Sequence, residues 1–319
     1  MEQKIWGFFL RISDHMWEDG SNADKSTDRW YLPDSTYREE NKISIEAWDA
    51  MVKFLAERQY NLLMIDIGDG VKFDSHPEIS APDAWSKEFL HKKIEEARAL
   101  GLEVIPKLNF SACHDIWLKD YSRMLSTPVY YEVCRDVIRD VCEVFKPKHF
   151  HLGMDEETAD HQRNFIYAVV RQGDLWWHDF YYLLDIVEKE NARAWVWSDY
   201  MWHYPEIFLA KMPKTVVQNN WYYPGKFSTA DEGFTESQAM RLNAFRLLDE
   251  HGYDQVPTGS VFSAKDNIEK LTAFCKENIS SEHLLGMMQT TWERIDPDWM
   301  HVHHAAAEHI AIAKKQFES

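Results

Sequence analysis

The chain lacks the features that mark several classes of protein. Its 319 residues include 35 basic and 53 acidic side chains, which gives a formal net charge of −18. So acidic a chain is a poor match for nucleic acid or for an anionic membrane surface, and we expect neither as a partner. No apolar run approaches the roughly 18 residues of a membrane span. No linker rich in glycine and proline separates two domains.

Cysteine is also scarce, with four residues and none of the close pairs of a metal site. Four cysteines in a chain of this length do not form a disulfide framework, so we expect reduced thiols. The first apolar run is followed directly by Arg11 and Asp14, without the small-residue cleavage site of a secretory leader. The sequence therefore predicts a cytoplasmic protein that holds no metal and no other cofactor.

Aromatic residues are abundant, with 14 Trp, 14 Tyr and 17 Phe. Several of the tryptophans stand beside polar residues. When such clusters lie at the ends of strands, they predict a pocket whose walls stack on flat or ring-shaped ligands. The content of 45% hydrophobic and 28% charged residues is that of an ordinary globular protein, which excludes extended disorder.

Short apolar runs alternate with amphipathic segments along the whole chain. The runs that we interpret as strands cover residues 5–12, 61–66, 103–108, 149–153, 194–198, 215–218, 255–258 and 284–290. Strands that alternate with helices predict a parallel sheet. Eight such units predict an α/β fold, a single (β/α)8 TIM barrel that occupies residues 1–319 as one catalytic domain. The polar stretch 13–42 is too long for an ordinary connection, and such loops are usually functional.

The active site of such a barrel lies at the carboxyl ends of its strands. Those positions carry carboxylates, imidazoles, amides and indoles: Asp14, His15, Asp66, Asp69, Asn109, His114, Asp155, Glu156, Glu157, Asp199, Asn219, Asn220, Trp221, Tyr222, Trp292 and Glu293. This combination suits a polyhydroxylated ligand, because carboxylates and amides bond hydroxyl groups while aromatic rings cover the apolar face of a sugar.

The acidic residues that follow the fourth strand form the densest of these clusters. Asp155, Glu156 and Glu157 cannot all ionise easily at one barrel mouth, so one of them is expected to have a raised pKa. A raised carboxyl pKa is what a general acid needs near neutral pH. A solvated acidic loop is the plain alternative. Trp176 and Trp177 follow in a predicted loop, which either covers the pocket or packs against the barrel.

The segment HLGMDE at 151–156 resembles the His-x-Gly-x-Asp-Glu signature of glycoside hydrolase family 20, the β-N-acetylhexosaminidases. Further similarity lies in MVKFLAERQYNLLMIDIGDG at 51–70, LGLEVIPKLNFSACH at 100–114, AWVWSD at 194–199 and QTTWE at 289–293. The resemblance implies a retaining, substrate-assisted mechanism, in which the acetamido oxygen of the substrate attacks the anomeric carbon. It implies removal of a terminal β-linked N-acetylhexosamine, or a close analogue, from oligosaccharides.

The resemblance also implies roles for particular residues. Glu156 protonates the glycosidic oxygen, Asp155 orients the acetamido group, and His114 supports the acid. The residues expected to bind or border the substrate are Arg11, Asp14, Asp69, His151, Trp197, Trp221, Tyr222 or its neighbour Tyr223, Trp292 and Glu293. The implied partner is an oligosaccharide or glycoside. The sequence leaves the assembly state open, with a homodimer as one alternative.

The sequence departs from the family pattern in two places. Lys107 and Asn109 stand where the family has Glu and Asp, and the spacing to His114 is one residue longer. In the first strand, Arg11 precedes Asp14 where the family has Asp and then Arg. These departures predict a divergent relative with altered sugar specificity. Two rival functions stay open, namely a barrel glycosidase for sugars without a 2-acetamido group and a non-catalytic carbohydrate-binding barrel.

Overall fold

A computed structural model of the chain describes residues 3–15, 40–162 and 167–318. Its parallel strands are β1 Ile5–Arg11, β2 Leu62–Asp66, β3 Glu103–Lys107, β4 His149–His151, β5 Arg193–Trp197, β6 Val217–Asn219, β7 Thr258–Ser260 and β8 Gly286–Thr290. They form one sheet in the order β6-β5-β4-β3-β2-β1-β8-β7. Most of the predicted functional loop, residues 16–39, lies outside the described residues.

Backbone hydrogen bonds between the ends of β6 and β7 complete the circle. The amide of Val256 donates to the carbonyl of Gln218 at 3.0 Å, and the amide of Tyr222 donates to the carbonyl of Thr258 at 3.1 Å. Bridges between the same two segments accompany these bonds. The predicted fold class, a (β/α)8 barrel, is therefore confirmed.

Helices connect the strands and cover the sheet. They are α1 Ile45–Glu57, α2 Lys87–Ala99, α3 Pro128–Phe145, α4 Asp174–Lys189, α5 Tyr200–His203, α6 Pro205–Lys211, α7 Glu236–Glu250, α8 Asn267–Asn278 and α9 Met300–Glu318, with a 3₁₀ segment at Ile116–Arg123. Ser44 and Ser86 cap α1 and α2, because their hydroxyls accept the amides of Ala47 and Phe89 at 3.2 Å. None of the helices in the described ranges has the length and apolar character of a bilayer span.

The prediction that Trp176 and Trp177 lie in a loop is wrong, whereas the alternative that they pack against the barrel agrees with the structure. Both residues lie in α4, which begins at Asp174, and both indoles are buried. The Trp176 ring stacks on Phe180 and on Tyr200, with centroid distances of 5.5 and 4.5 Å. These indoles therefore attach the helix to the barrel, and they do not cover the pocket as a lid.

The interior of the barrel changes from apolar to charged toward the carboxyl ends of the strands. Arg11, Asp66 and Lys107 are register partners on β1, β2 and β3. The ammonium of Lys107 lies 2.6 Å from Oδ2 of Asp66, and both side chains are buried. Removing one partner of a buried ion pair leaves an uncompensated charge, so loss of either residue is expected to destabilise the fold. This charged layer is the floor of the candidate site.

Candidate active site

A sharp turn after β4 aims the two predicted catalytic acids at the mouth of the barrel. The φ angle is positive at Gly153 (72°), Met154 (74°) and Glu156 (54°). Residues other than glycine adopt this conformation at a cost of order 1–3 kcal/mol, and such strain clusters at functional sites. At Gly153 an added Cβ would lie 2.0 Å from Oδ1 of Asn109. Only glycine therefore fits this position.

Side chains of the loop after β3 hold the turn in place. Asn109 donates from Nδ2 to Oδ1 of Asp155 at 2.8 Å. The hydroxyl of Ser111 donates to the backbone carbonyl of Asp155, and the thiol of Cys113 donates to that of Glu156 at 2.7 Å. Since these donors are buried, the loop and the turn form one rigid unit.

The structure brings the three predicted catalytic residues together. Nδ1 of buried His114 lies 3.3 Å from Oδ1 of Asp155, and its Nε2 lies 3.6 Å from Oε2 of Glu156. On the other side of Glu156, Nε2 of His161 lies 3.5 Å from Oε1. Sequence reasoning missed His161, because nothing in the residues around it marks a functional histidine.

Asp155 is held as a carboxylate. Its burial opposes ionisation, but the charge and hydrogen bond of His114, the charge of Lys107 and the hydrogen bond of Asn109 together lower its pKa. Burial likewise opposes protonation of His114, yet Asp155 and Glu156 raise the pKa of the imidazole. The geometry therefore favours an ionised Asp155 beside a protonated His114.

Asp199, at the end of β5, touches the same turn. Its Oδ2 accepts the backbone amide of Glu156 at 2.8 Å, and its buried Oδ1 has no hydrogen-bond partner within the described ranges. Burial, reinforced by the charge of Asp155, raises the pKa of Asp199 from the ordinary 3.8 to about 8. The sequence placed a raised pKa among residues 155–157, whereas in the structure the pKa of Asp155 is lowered and that of Asp199 is raised.

We expect an Asp199→Asn variant to reduce the dependence of stability on pH. A raised pKa in the folded state gives stability that is complete below the unfolded pKa and is lost as pH rises through the folded pKa. The urea concentration at the unfolding midpoint of the wild type should therefore decrease as pH rises from the ordinary pKa of 3.8 to about 8. The asparagine side chain of the variant cannot ionise, so its urea midpoint should decrease less over the same pH range. It also retains an oxygen that accepts the backbone amide of Glu156.

Urea unfolding across this pH range, with Asp199→Ala as the control, checks this prediction. The alanine variant leaves the amide of Glu156 without its acceptor, which should cost about 1–3 kcal/mol at every pH. Equal pH dependence in the wild type and in Asp199→Asn would contradict the assignment.

Glu157 lies away from the mouth. Nη2 of Arg171 is 2.5 Å from its Oε2, and Nη1 of the same arginine is 3.2 Å from Asp179 of α4. All three side chains are buried. Glu157 therefore anchors the loop that leads into α4, and its charge is neutralised by Arg171.

Predicted substrate-binding residues of the first strand lie on the floor of the site. Arg11 is 3.2 Å from Asp14, and Arg294, which follows β8, lies 3.8 Å from the second oxygen of Asp14. The sequence analysis missed Arg294. A backbone bridge between residues 11 and 294 brings it to the floor, and sequence spacing does not reveal such a bridge.

Asp69 is buried and fully engaged. Its Oδ2 lies 2.5 Å from Nδ1 of His15 and 2.6 Å from the ammonium of Lys119. Burial opposes its ionisation, but His15 and Lys119 lower its pKa. Asp69 therefore holds together the segments that follow β1 and β2. Glu293, which follows β8, is also buried.

Aromatic rings at the ends of four strands contact one another and form a continuous wall. The ring of His151 lies 4.6 Å from Trp197, Trp197 lies 5.8 Å from Trp292, and Trp292 lies 6.4 Å from Tyr223. Tyr223 stacks on Trp221 with a centroid distance of 4.9 Å. Predicted substrate-binding residues from β4, β5, β6 and β8 therefore form one surface.

Tyr222 does not belong to this surface. Its side chain is buried and its hydroxyl donates to the backbone carbonyl of Lys226. Tyr223, the alternative left open by the sequence, is the tyrosine of the wall. Successive residues at the end of a strand point to opposite sides, which explains the difference.

No protein-family profile and no curated protein sequence matches the chain at a significant level. Solved structures match its fold. The family 20 chitobiase of Flavobacterium johnsoniae matches at a TM-score of 0.63 and 15% identity, over 99% of this chain and 51% of that one. A family 20 β-N-acetylhexosaminidase from Streptomyces coelicolor matches at a TM-score of 0.59 and 13% identity, over 95% of this chain and 63% of that one.

A family 20 exo-β-N-acetylglucosaminidase from Vibrio harveyi, in complex with N-acetylglucosamine, matches at 0.56 and 15%, over 99% of this chain and 57% of that one. The chain thus spans between half and two thirds of the length of these structures. The comparisons show that the chain is a divergent barrel with the fold found in glycoside hydrolase family 20.

Proposed function

We propose that the chain is a glycoside hydrolase related to family 20, with residues 1–319 as a single catalytic barrel. It removes a terminal β-linked N-acetylhexosamine, or a close analogue, from oligosaccharides by a retaining mechanism. The observation that carries the proposal is the contact of His114 with both Asp155 and Glu156. The fold shared with family 20 structures supports the proposal.

Each acid has its own part in the proposed reaction. Glu156 gives a proton to the glycosidic oxygen as the bond from that oxygen to the anomeric carbon breaks. Asp155, as a carboxylate, accepts the N–H of the acetamido group, whose oxygen forms the new bond to the anomeric carbon. A water molecule then opens this cyclic intermediate and returns a proton to Glu156, so the product retains its configuration.

The remaining residues of the site position the sugar. The indoles of Trp197 and Trp292 cover an apolar face, and Tyr223 supplies a hydroxyl beside them. Arg11 and Asp14 offer a donor and an acceptor for sugar hydroxyls on the floor. Besides covering the sugar, the aromatic wall excludes water from the site. Exclusion of water strengthens the electrostatic interaction of Asp155 with the acetamido group.

Hydrolysis of two matched substrates tests this function. We expect the wild type to hydrolyse an aryl N-acetyl-β-glucosaminide and to leave the corresponding aryl β-glucoside intact, because only the first carries the acetamido oxygen. Proton NMR of the first product should show the β anomer. Turnover of both substrates would favour a glycosidase that does not use the acetamido group. Saturable binding without turnover would favour a carbohydrate-binding barrel.

A further inference from the structure

Arg241 of α7 reaches the rim of the site and rests on two indoles. Its guanidinium carbon lies 4.4 Å from the ring centroid of Trp202 and 5.2 Å from that of Trp221. The two indoles meet edge to face, with centroids 4.4 Å apart, and Trp202 donates to Asn220 at 3.0 Å. Because both indoles are fixed, the guanidinium is held in a defined position.

Within the described ranges, no carboxylate oxygen lies within ion-pair distance of this arginine. Its half-buried side chain forms no ion pair there, and its buried Nε has no hydrogen-bond partner. Other cations of the cleft do have carboxylate partners, such as Lys107 with Asp66 and Arg11 with Asp14.

The position of Arg241 relates it to the proposed general acid. Its partners Trp202 and Trp221 follow β5 and β6, next to the turn that carries Glu156. Burial lowers the pKa of Arg241, and the charges of Glu156 and Asp199 oppose that shift, so all three lie in one electrostatic environment. Arg241 also lies at one end of the aromatic wall, because its guanidinium rests on Trp221 and Trp221 stacks on Tyr223.

We propose that Arg241, Trp202 and Trp221 form a subsite for a negatively charged group on the leaving sugar. The substrate class is then an acidic oligosaccharide, whose carboxylate or sulfate binds the free edge of the guanidinium. A planar guanidinium donates two parallel hydrogen bonds to such oxyanions. This inference rests on the proposed function for the identity of the leaving group.

Three disaccharides with the same N-acetylhexosamine test the subsite. The leaving sugar is a hexuronate, a hexose sulfate ester or a neutral hexose. A charge-assisted hydrogen bond contributes about 1.5–3 kcal/mol, so the wild type should prefer one anionic substrate over the neutral one by about tenfold or more in kcat/KM. The identity of that substrate distinguishes a carboxylate site from a sulfate site.

Variants of two arginines on the same helix assign the preference to one side chain. Arg241→Met should bring the ratio of anionic to neutral kcat/KM close to one, and added salt should lower the ratio in the wild type. Arg246 is the control, because it lies 5.1 Å from the ring of Phe274 and donates to Asn278, away from the site. Arg246→Met should keep the wild-type ratio.

Two results would overturn the subsite, namely no anionic preference in the wild type or an unchanged preference in Arg241→Met. If Arg241→Met does not fold, Arg241→Lys replaces it in the test. The lysine keeps the positive charge but lacks the planar guanidinium, so it should retain only part of the anionic preference. If the wild type hydrolyses none of the disaccharides, the proposed function has failed. Titration of tryptophan fluorescence with a hexuronate and a hexose then tests the subsite alone, and equal binding of both sugars would refute it.

Discussion

The Glu156→Gln variant is expected to lose about 100- to 10,000-fold in kcat on an N-acetylhexosaminyl disaccharide, the range typical of one general acid. Glutamine has the shape of glutamate but carries no proton for the glycosidic oxygen. Its amide can still lie between His114 and His161, so binding of the substrate should change little. Steady-state kinetics should therefore show the loss in kcat with KM nearly unchanged.

The leaving group provides the decisive comparison for this variant. An aryl glycoside whose phenol is strongly acidic needs little protonation, so its loss should be much smaller than that of the disaccharide. Glu188→Gln makes the same chemical change on an exposed part of α4 and should have wild-type activity. An equal loss on both substrates would show that Glu156 is not the proton donor.

Asp155→Asn is expected to lower kcat/KM for an N-acetylhexosaminide by about 100- to 1,000-fold, as for other preorganised electrostatic contacts. The variant removes the carboxylate that accepts the acetamido N–H. It also removes the larger of the two charges that raise the pKa of His114, so the pKa of the imidazole should fall. Kinetics and an NMR titration of the imidazole measure these two effects.

Asn109→Ala separates the charge of Asp155 from its orientation. This variant removes the hydrogen bond of 2.8 Å to Asp155 but keeps the carboxylate. We expect a smaller loss of activity than in Asp155→Asn and an imidazole pKa that stays raised. A loss in Asn109→Ala as large as in Asp155→Asn would mean that position, and not charge, accounts for the role of Asp155.

The sequence allowed the barrel to be predicted because its strands are short apolar runs between amphipathic helices. Most residues of the candidate site could be predicted from their positions after the strands, because parallel strands bring their carboxyl ends to one rim of the barrel. The least regular strand, β7, begins at Thr258, where the sequence predicted its end. Its residues before 258 contribute only bridges, which local patterns do not distinguish from a strand.

Features that depend on distances between separate loops could not be predicted. The positive φ at Met154 and Glu156 arises in residues that usually avoid it, so their identity gives no signal. The pairing of Glu157 with Arg171 and the burial of Asp199 likewise depend on how the loops pack. For this reason nothing in the sequence indicated the raised pKa of Asp199.

The loop after β3 supplies most of the hydrogen bonds that fix the acidic turn after β4, and this has a consequence for engineering. Transplanting residues 151–157 into another barrel would move both acids without the side chains of Asn109, Ser111 and Cys113 that hold them. The transferable unit is a pair of adjacent loops. Because a side chain at Gly153 would collide with Asn109, a substitution at position 153 would require a change in the neighbouring loop as well.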